Sequence, residues 1–317
     1  MARCPGPTCG SVVHNPFMIG RARESTIDGR PAGGRVLADV DLASALAVCA
    51  VDPVASVLAT SRIEAAAREG LSRSGGQLWG YEADGQLVAV CWAGVNLVPV
   101  VPTRDPAALD AFAALGRSHG RRSSSIVGTD WAVLGLWNRL SPIWPPAREV
   151  RADQPSYVID HEPLIEPDPL VRLSAPDEYP LILPACVRMF VEEVGYSPVS
   201  GFDGPYEVRV RSLIDQHRSY VRIDEGAVAR SGTPVVVFKA ELGAIAGGVA
   251  QVQGVWVDPS YRGRGLSESG MAAVVAAARR VVAPTVSLYA NHYNDRALAA
   301  YRAVGFRQVG TYATILF

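Results

Sequence analysis

Apolar and polar positions follow one another along this chain in two rhythms, and the switches between them mark out its elements. Period-two and short apolar runs predict strands at Arg35–Ala38, "LWGYEA", "QLVAVCWAG", Leu97–Val101 and Ser124–Gly128. Period-3.6 stretches predict helices at Leu42–Val51, Pro53–Glu69, Pro106–His119 and Trp131–Leu140. Asp84-Gly85, between the second and third strands, is the dipeptide of a type I′ hairpin, because both central positions of that turn need positive φ.

The rhythm lapses in "WPPAREVRADQPSYVIDHEPLIEPDP", whose six prolines and many acids read as a linker. It then resumes with a strand (Leu170–Leu173), helices (Asp177–Val194, Tyr206–His217) and three strands, "SYVRI", "VVVFKAELGA" and "GVAQVQGVWVDP". A helix follows with apolar residues at Met271, Val274, Val275, Ala278, Val281 and Val282, a spacing that predicts one buried face. Arg279 and Arg280 suit its C-terminal dipole and Pro284 stops it. A strand "TVSLYAN", a helix Asn294–Val304 and a strand Tyr312–Phe317 close the chain.

The pattern divides the 317 residues into a tail without periodicity (1–34), read as disordered, an N-terminal α/β domain (35–149), a Pro-rich linker (150–168) and a C-terminal domain (169–317). Both halves end in the order strand, helix, strand, helix. A degenerate internal duplication is one reading of that repeat, and two unrelated α/β domains are the other. In the first half the turn after Val101 reads "PTRDPAAL", which has no glycines to cradle a phosphate.

A net charge of -1 and a pI near 6.5 argue against nucleic acid or an anionic membrane as the main partner. The longest uncharged run, Gln86–Thr103, reaches spanning length only by including Gly94, Asn96, Pro99 and Pro102, so it reads as buried strands. The first 20 residues lack the apolar stretch of a secretory signal, and the five scattered cysteines read as reduced thiols; a cytoplasmic protein is expected. Of 30 basic residues only Lys239 is lysine, a bias that points to a GC-rich genome. The histidines show no metal-ligand spacing.

The chemistry concentrates in "DPSYRGRGLSES", where a strand ends, Gly263 and Gly265 open backbone geometries closed to other residues, and a helix begins. Free N–H groups and the positive dipole end suit an anion there, with forked donors from Arg262 and Arg264, but taken alone the stretch reads more readily as a solvated turn. Downstream, "NDRALAAYRAVGF" sets Asn294 and Tyr301 seven residues apart, on one helix face.

These two motifs together resemble the GCN5-related N-acetyltransferases, or GNAT family. The family pattern, Arg/Gln-x-x-Gly-x-Gly/Ala after a strand ending Val-x-Pro, stands here as Val257-x-Pro259 and Arg262-x-x-Gly265-x-Ser267. The second element, Asn-x-x-Ala-x-x-x-Tyr-x-x-x-Gly-Phe, stands as Asn294, Ala297, Tyr301, Gly305 and Phe306. Ser267 departs from the pattern's final small residue. The likeness spans roughly Leu170–Phe317, and the whole chain looks like a two-domain type from actinobacteria.

The resemblance implies a GNAT fold, an α/β (α+β) domain with a mixed central sheet, and acetyl-CoA as co-substrate with no metal. Backbone amides of Arg262, Gly263, Arg264, Gly265, Leu266 and Ser267 would hold the pyrophosphate. The strand through Val255 and Val257 would pair with the pantetheine arm, with the Val257 N–H facing the acetyl oxygen. Asn294 would bond the pantetheine, and Tyr301 would give a proton to the departing thiolate. An unperturbed tyrosine titrates near ~10 and keeps its proton at neutral pH.

The attacking amine must lose a proton. Glu192 and Glu193 at the end of the domain's first helix are candidates as base or as a cation-binding pair, against the plainer reading of a solvated helix end. Glu241 is a third candidate, against an outward-facing strand residue. Lys239 alternates onto the same face as Glu241, which allows a pair. His292 lies near the expected cleft and reads as a loop histidine. The function expected is acetyl transfer to a primary amine, whether a small molecule, a peptide or a protein; a non-catalytic acetyl-CoA sensor is the alternative.

Overall fold

The computed structural model describes residues 26–27, 30–31, 33–199, 204–227 and 232–317. Apart from positions 26–27, 30–31 and 33–34, the tail expected over 1–34, with Cys4 and Cys9, lies outside the described residues. Two-residue strands β1 (Thr26–Ile27) and β2 (Arg30–Pro31) pair with each other away from the main sheet.

The first half runs β3 (Gly33–Val36), α1 (Leu42–Cys49), α2 (Pro53–Glu69), β4 (Gln77–Ala83), β5 (Gln86–Ala93), β6 (Asn96–Val100), α3 (Pro106–His119), β7 (Ser125–Thr129), α4 (Asp130–Leu140) and β8 (Glu149–Ile159). Asp84 and Gly85 have φ of 51° and 73°, the left-handed pair that the β4–β5 turn requires. Asp52 caps α2, its carboxylate accepting from the Ala55 N–H, with Pro53 at the first helical position.

The second half runs β9 (Arg172–Leu173), α5 (Tyr179–Val194), α6 (Pro205–Asp215), β10 (Ser219–Asp224), β11 (Val235–Ala246), β12 (Val249–Val257), α7 (Leu266–Val281), β13 (Thr285–Tyr289), α8 (Asp295–Val304) and β14 (Arg307–Leu316). The α7 stripe is buried at Met271, Val274, Val275 and Ala278, whereas Val281 is exposed. At 100° per residue Val281 lies about 70° off the centre of that stripe.

The halves share one twelve-stranded sheet in the order β3-β4-β5-β6-β7-β14-β8-β13-β12-β11-β10-β9. It contains a correction to the sequence reading. Residues 149–159, placed within or beside the expected linker, form β8 at the middle of the sheet, antiparallel to both β14 and β13. Only residues from about 160 onward connect the halves.

Each half's last strand thus lies one strand away from the rest of that half, with the other half's last strand in between. Ala313 and Ile315 of β14 enter the first half's core beside Phe112 and Leu136, and Tyr157 and Ile159 of β8 enter the second half's core beside Met271 and Val275. Topology repeats within this frame. β6 runs parallel to β7 for two residue pairs, β12 runs parallel to β13 for three, and each pair then parts. The two-half repeat seen in the order of elements is therefore a repeat of strand order and of splay.

Candidate functional site

The second splay holds the site. Parallel pairing of β12 with β13 stops at Gln251↔Ser287, so Val252–Val257 runs on with no strand on that side. On its other edge β12 pairs with β11 through a bulge. Lys239 opposes Trp256 and Glu241 opposes Gln253, so β12 carries one residue more, at Gly254–Val255. Gly254 has φ 61°, which a side chain disfavours, and a Cβ there would stand 3.2 Å from both the Glu241 carboxylate and Lys239 Nζ. Beyond the bulge the Asp258 N–H donates to the Val237 carbonyl at 3.0 Å. Strand alternation then points the Val257 N–H away from β11 and into the gap.

At the mouth of the gap, Asp258 accepts from the Ser260 N–H at 2.9 Å and starts a short turn. Gly263 and Gly265 follow at φ 77° and 71°, and α7 begins at Leu266. A Cβ on either glycine would meet nothing within 4 Å. Backbone geometry, not crowding, therefore demands glycine at both positions, and the space over the loop is open to a ligand. Amides at the start of a 16-residue helix, with no intrahelical partners, face that space at its positive dipole end. Ser267 continues the helix without disturbing the loop.

The arginine side chains of the loop do not reach over these amides. Arg262 donates to the Val257 carbonyl at 3.0 Å and to Glu192 at 2.6 Å. Arg264 donates to the Ser260 carbonyl at 3.2 Å and lies over the Tyr261 ring. Glu192 also takes the Trp256 indole N–H at 3.3 Å, so both of its oxygens are engaged.

The other two glutamates part company. Glu241 is buried on the α5/α6 side, 2.8 Å from Lys239 Nζ and 3.6 Å from the Cys186 thiol that donates to it. A carboxylate paired with a fully buried ammonium serves the bulge better than an incoming amine. Glu193 is half exposed and paired with Arg151 at 3.1 Å, and its charge is felt at Tyr289 and Tyr301.

Tyr301 projects from α8 into the core, its ring meeting Phe306 edge-on at 6.1 Å. Its hydroxyl has no hydrogen-bond partner among the described residues. Burial first, and the Glu193 charge second, push its ionisation well above the ordinary tyrosine value, so it stays protonated. Asn294 caps α8, its side-chain oxygen accepting from the Ala297 N–H at 3.3 Å, which leaves its two amide hydrogens free to donate. His292 is held by the Asp153 carbonyl of β8.

The same positions in the first half lack this chemistry. Asp105 caps α3, accepting from the Ala107 N–H at 2.9 Å, and Pro106 has no N–H to offer. A carboxylate thus fills the place where the second half leaves open amides. Seven residues after the α4 cap, Thr129, stands buried Leu136, where the interval from Asn294 gives Tyr301 in α8. A cleft of about 370 Å³ opens nearby, between Asp52 of the α2 cap, Arg104, Asp130 and the β8 and β14 residues Ser156 and Thr311 among others.

Sequence reasoning missed Arg151. Its strand was hidden among prolines, and the alternation in "SYVI" was the available signal. Among the described residues no group of His, Cys, Asp or Glu is arranged to hold a metal ion, and no helix is long and apolar enough to cross a membrane.

Comparison with known proteins agrees with this geometry. Residues 192–306 match the acetyltransferase (GNAT) family, and residues 76–182 match a domain of unknown function, DUF4081. Residues 192–306 are therefore a GNAT-family domain. The chain is 36% identical over 102 residues to the N-alpha-acetyltransferase RimI of Mycobacterium tuberculosis, which covers 32% of this chain and 59% of that protein. It thus spans about three-fifths of the length of that curated relative. Among solved structures, a Drosophila protein superposes with a TM-score of 0.61 at 13% identity, covering 90% of this chain and 99% of its own. A GCN5-related N-acetyltransferase from Sphaerobacter thermophilus gives 0.53 at 17%, covering 89% and 93%. At such identities the likeness is one of fold, and it extends over both halves.

Proposed function

We propose that the second half transfers an acetyl group from acetyl-CoA directly to a primary amine. The observation that carries this reading is the pairing of an open glycine cradle at Gly263–Gly265 with a buried, protonated Tyr301 on the helices that flank one splay. The cradle fits a pyrophosphate, because its amides are exposed and no side chain fills the space above them. The gap beside Val252–Val257 offers unpaired strand edge to an amide-bearing arm, and Asn294 adds two donors. Acetyl-CoA supplies the thioester.

The Val257 N–H faces the side on which the acetyl oxygen gathers charge, a position where one donor is worth a few kcal/mol, about 3. As the nitrogen–carbon bond forms, the amine gives up a proton, for which Glu193 is the group we assign. As the carbon–sulfur bond breaks, Tyr301 gives a proton to sulfur. The products are an amide and free CoA, with no acyl-enzyme. The name of the mycobacterial relative makes peptide α-amines the first acceptors to test, and small amines the second. Buried, unpaired Cys49, Cys91 and Cys186 suit a reducing, cytoplasmic setting.

Calorimetric titration with acetyl-CoA, CoA and longer acyl-CoAs tests the cofactor assignment. Binding of acetyl-CoA that is weakened by Gly265→Ala supports it; the absence of binding by any acyl-CoA refutes it.

A further inference from the structure

We propose that Arg151, carried by the first half's last strand, is a positioning residue for the second half's transfer site, holding Glu193 where the acceptor amine arrives. The proposal rests on the acetyl-transfer reading above. Arg151 is nearly enclosed, its side chain 8% exposed. Its guanidinium donates to both oxygens of Glu149, at 2.8 and 3.2 Å, and its remaining donors cross to α5. One reaches the Glu193 carboxylate at 3.1 Å and another the Glu193 backbone carbonyl at 3.1 Å.

A planar fork can hold a side chain and its own carbonyl together, whereas an ammonium offers a single point of attachment. The position is also favourable, since Glu193 lies in the last turn of α5, where unpaired carbonyls favour a cation. Glu193 is thereby fixed twice at a helix end that would otherwise fray, while its carboxylate stays half exposed and its charge reaches Tyr289 and Tyr301.

The sheet explains how an arginine from the first half arrives here. β8 lies between β14 and β13, and Arg151 sits opposite Thr314 in the stretch of β8 that runs past the end of β13. Among the described residues of the second half, none forms an ion pair with Glu193. The first half, which lacks a glycine cradle and a tyrosine acid, thus retains a catalytic purpose: it completes the acceptor side of its neighbour.

The test compares the full chain with Arg151→Ala and Arg151→Lys, using acetyl-CoA and a peptide with a free α-amine. Arg151→Ala is expected to lower kcat/KM for the peptide about 100-fold, the scale of a misplaced reacting group. Affinity for acetyl-CoA should stay within about twofold, a split that separates acceptor from cofactor effects. Arg151→Lys should recover part of the loss, and hydrogen exchange in Arg151→Ala should rise at residues 190–196 but not at 294–306. A variant that loses thermal stability while keeping kcat/KM for the peptide and the wild-type exchange at 190–196 would overturn the proposal, as would equal losses toward both substrates. If the wild-type protein binds acetyl-CoA yet transfers to no amine, the transfer reading alone fails. The exchange pattern then decides whether Arg151 holds Glu193.

Discussion

Lys239 and Glu241 lie side by side in the interior, Nζ 2.8 Å from Oε1, and the same ammonium donates to the Gly254 carbonyl at 2.9 Å. The chain's single lysine is therefore fully buried beneath the bulge that turns β12 toward the splay. Burial pulls its ionisation down, but the charge and hydrogen bond of Glu241 outweigh that, and the net direction is up. Lys239→Met would strand a buried carboxylate, and breaking such a pair costs about 3–5 kcal/mol. Chemical denaturation should show that loss, and Lys239→Met with Glu241→Leu should recover most of it. Glu241→Gln should likewise lower stability, because it strands the buried Lys239 ammonium.

Gly265 and Gly310 have equal room for a methyl group, but only Gly265 has a left-handed φ. Gly265→Ala should cost about 1–2 kcal/mol in strain and weaken acetyl-CoA by reshaping the cradle. Gly310→Ala should change neither property. Denaturation midpoints and calorimetry on the two variants check this.

The interleaved strands forbid a simple division of the chain. A fragment of residues 169–317 lacks β7 and β8, which leaves β13 held only by its short parallel pairing with β12 and β14 detached from both of its partners. Such open edges promote association. The fragment is expected to aggregate or stay unfolded by size-exclusion chromatography and circular dichroism, and a cooperative, monomeric 169–317 would contradict the topology.

Buried Tyr301 and Tyr312, with the partly buried Tyr289, predict an alkaline limit. Burial raises Tyr289 to about 12 and moves Tyr301 and Tyr312 higher still. A raised value in the folded state means that the stabilisation is fully present below the unfolded value, near ~10, and is lost as pH rises through the folded ones. Thermal midpoints should fall steeply between about pH 10 and 12, and Tyr289→Phe should soften the fall.

Much of this molecule was legible from local pattern. The bounds of α2 and α3, the Asp84-Gly85 turn and the glycine loop follow from turn chemistry and helix signals within a few residues of each feature. Lys239 and Glu241 share a face because strands alternate. What alternation cannot say is which strand stands next to which, and this hid the interleaving of β8 and β14. Pro155 made the concealment worse. It sits inside β8 opposite Thr311, beside a register shift that tolerates its missing N–H, yet in sequence it reads as part of a linker. Arg151 and Glu193 are 42 residues apart, and their meeting depends on that hidden order.

The proposed mechanism is direct acetyl transfer with Tyr301 as the proton donor to sulfur. The decisive measurement is release of free CoA thiol and formation of acetylated amine by the wild-type protein and by Tyr301→Phe, across peptide and small amines at saturating acetyl-CoA. The wild type is expected to yield equal amounts of thiol and amide. Tyr301→Phe is expected to have a kcat lower by about 100-fold, the lower end of the range for proton transfer, with acetyl-CoA affinity retained. Undiminished turnover in Tyr301→Phe, or acetyl-CoA binding with no thiol released for any amine, would contradict it.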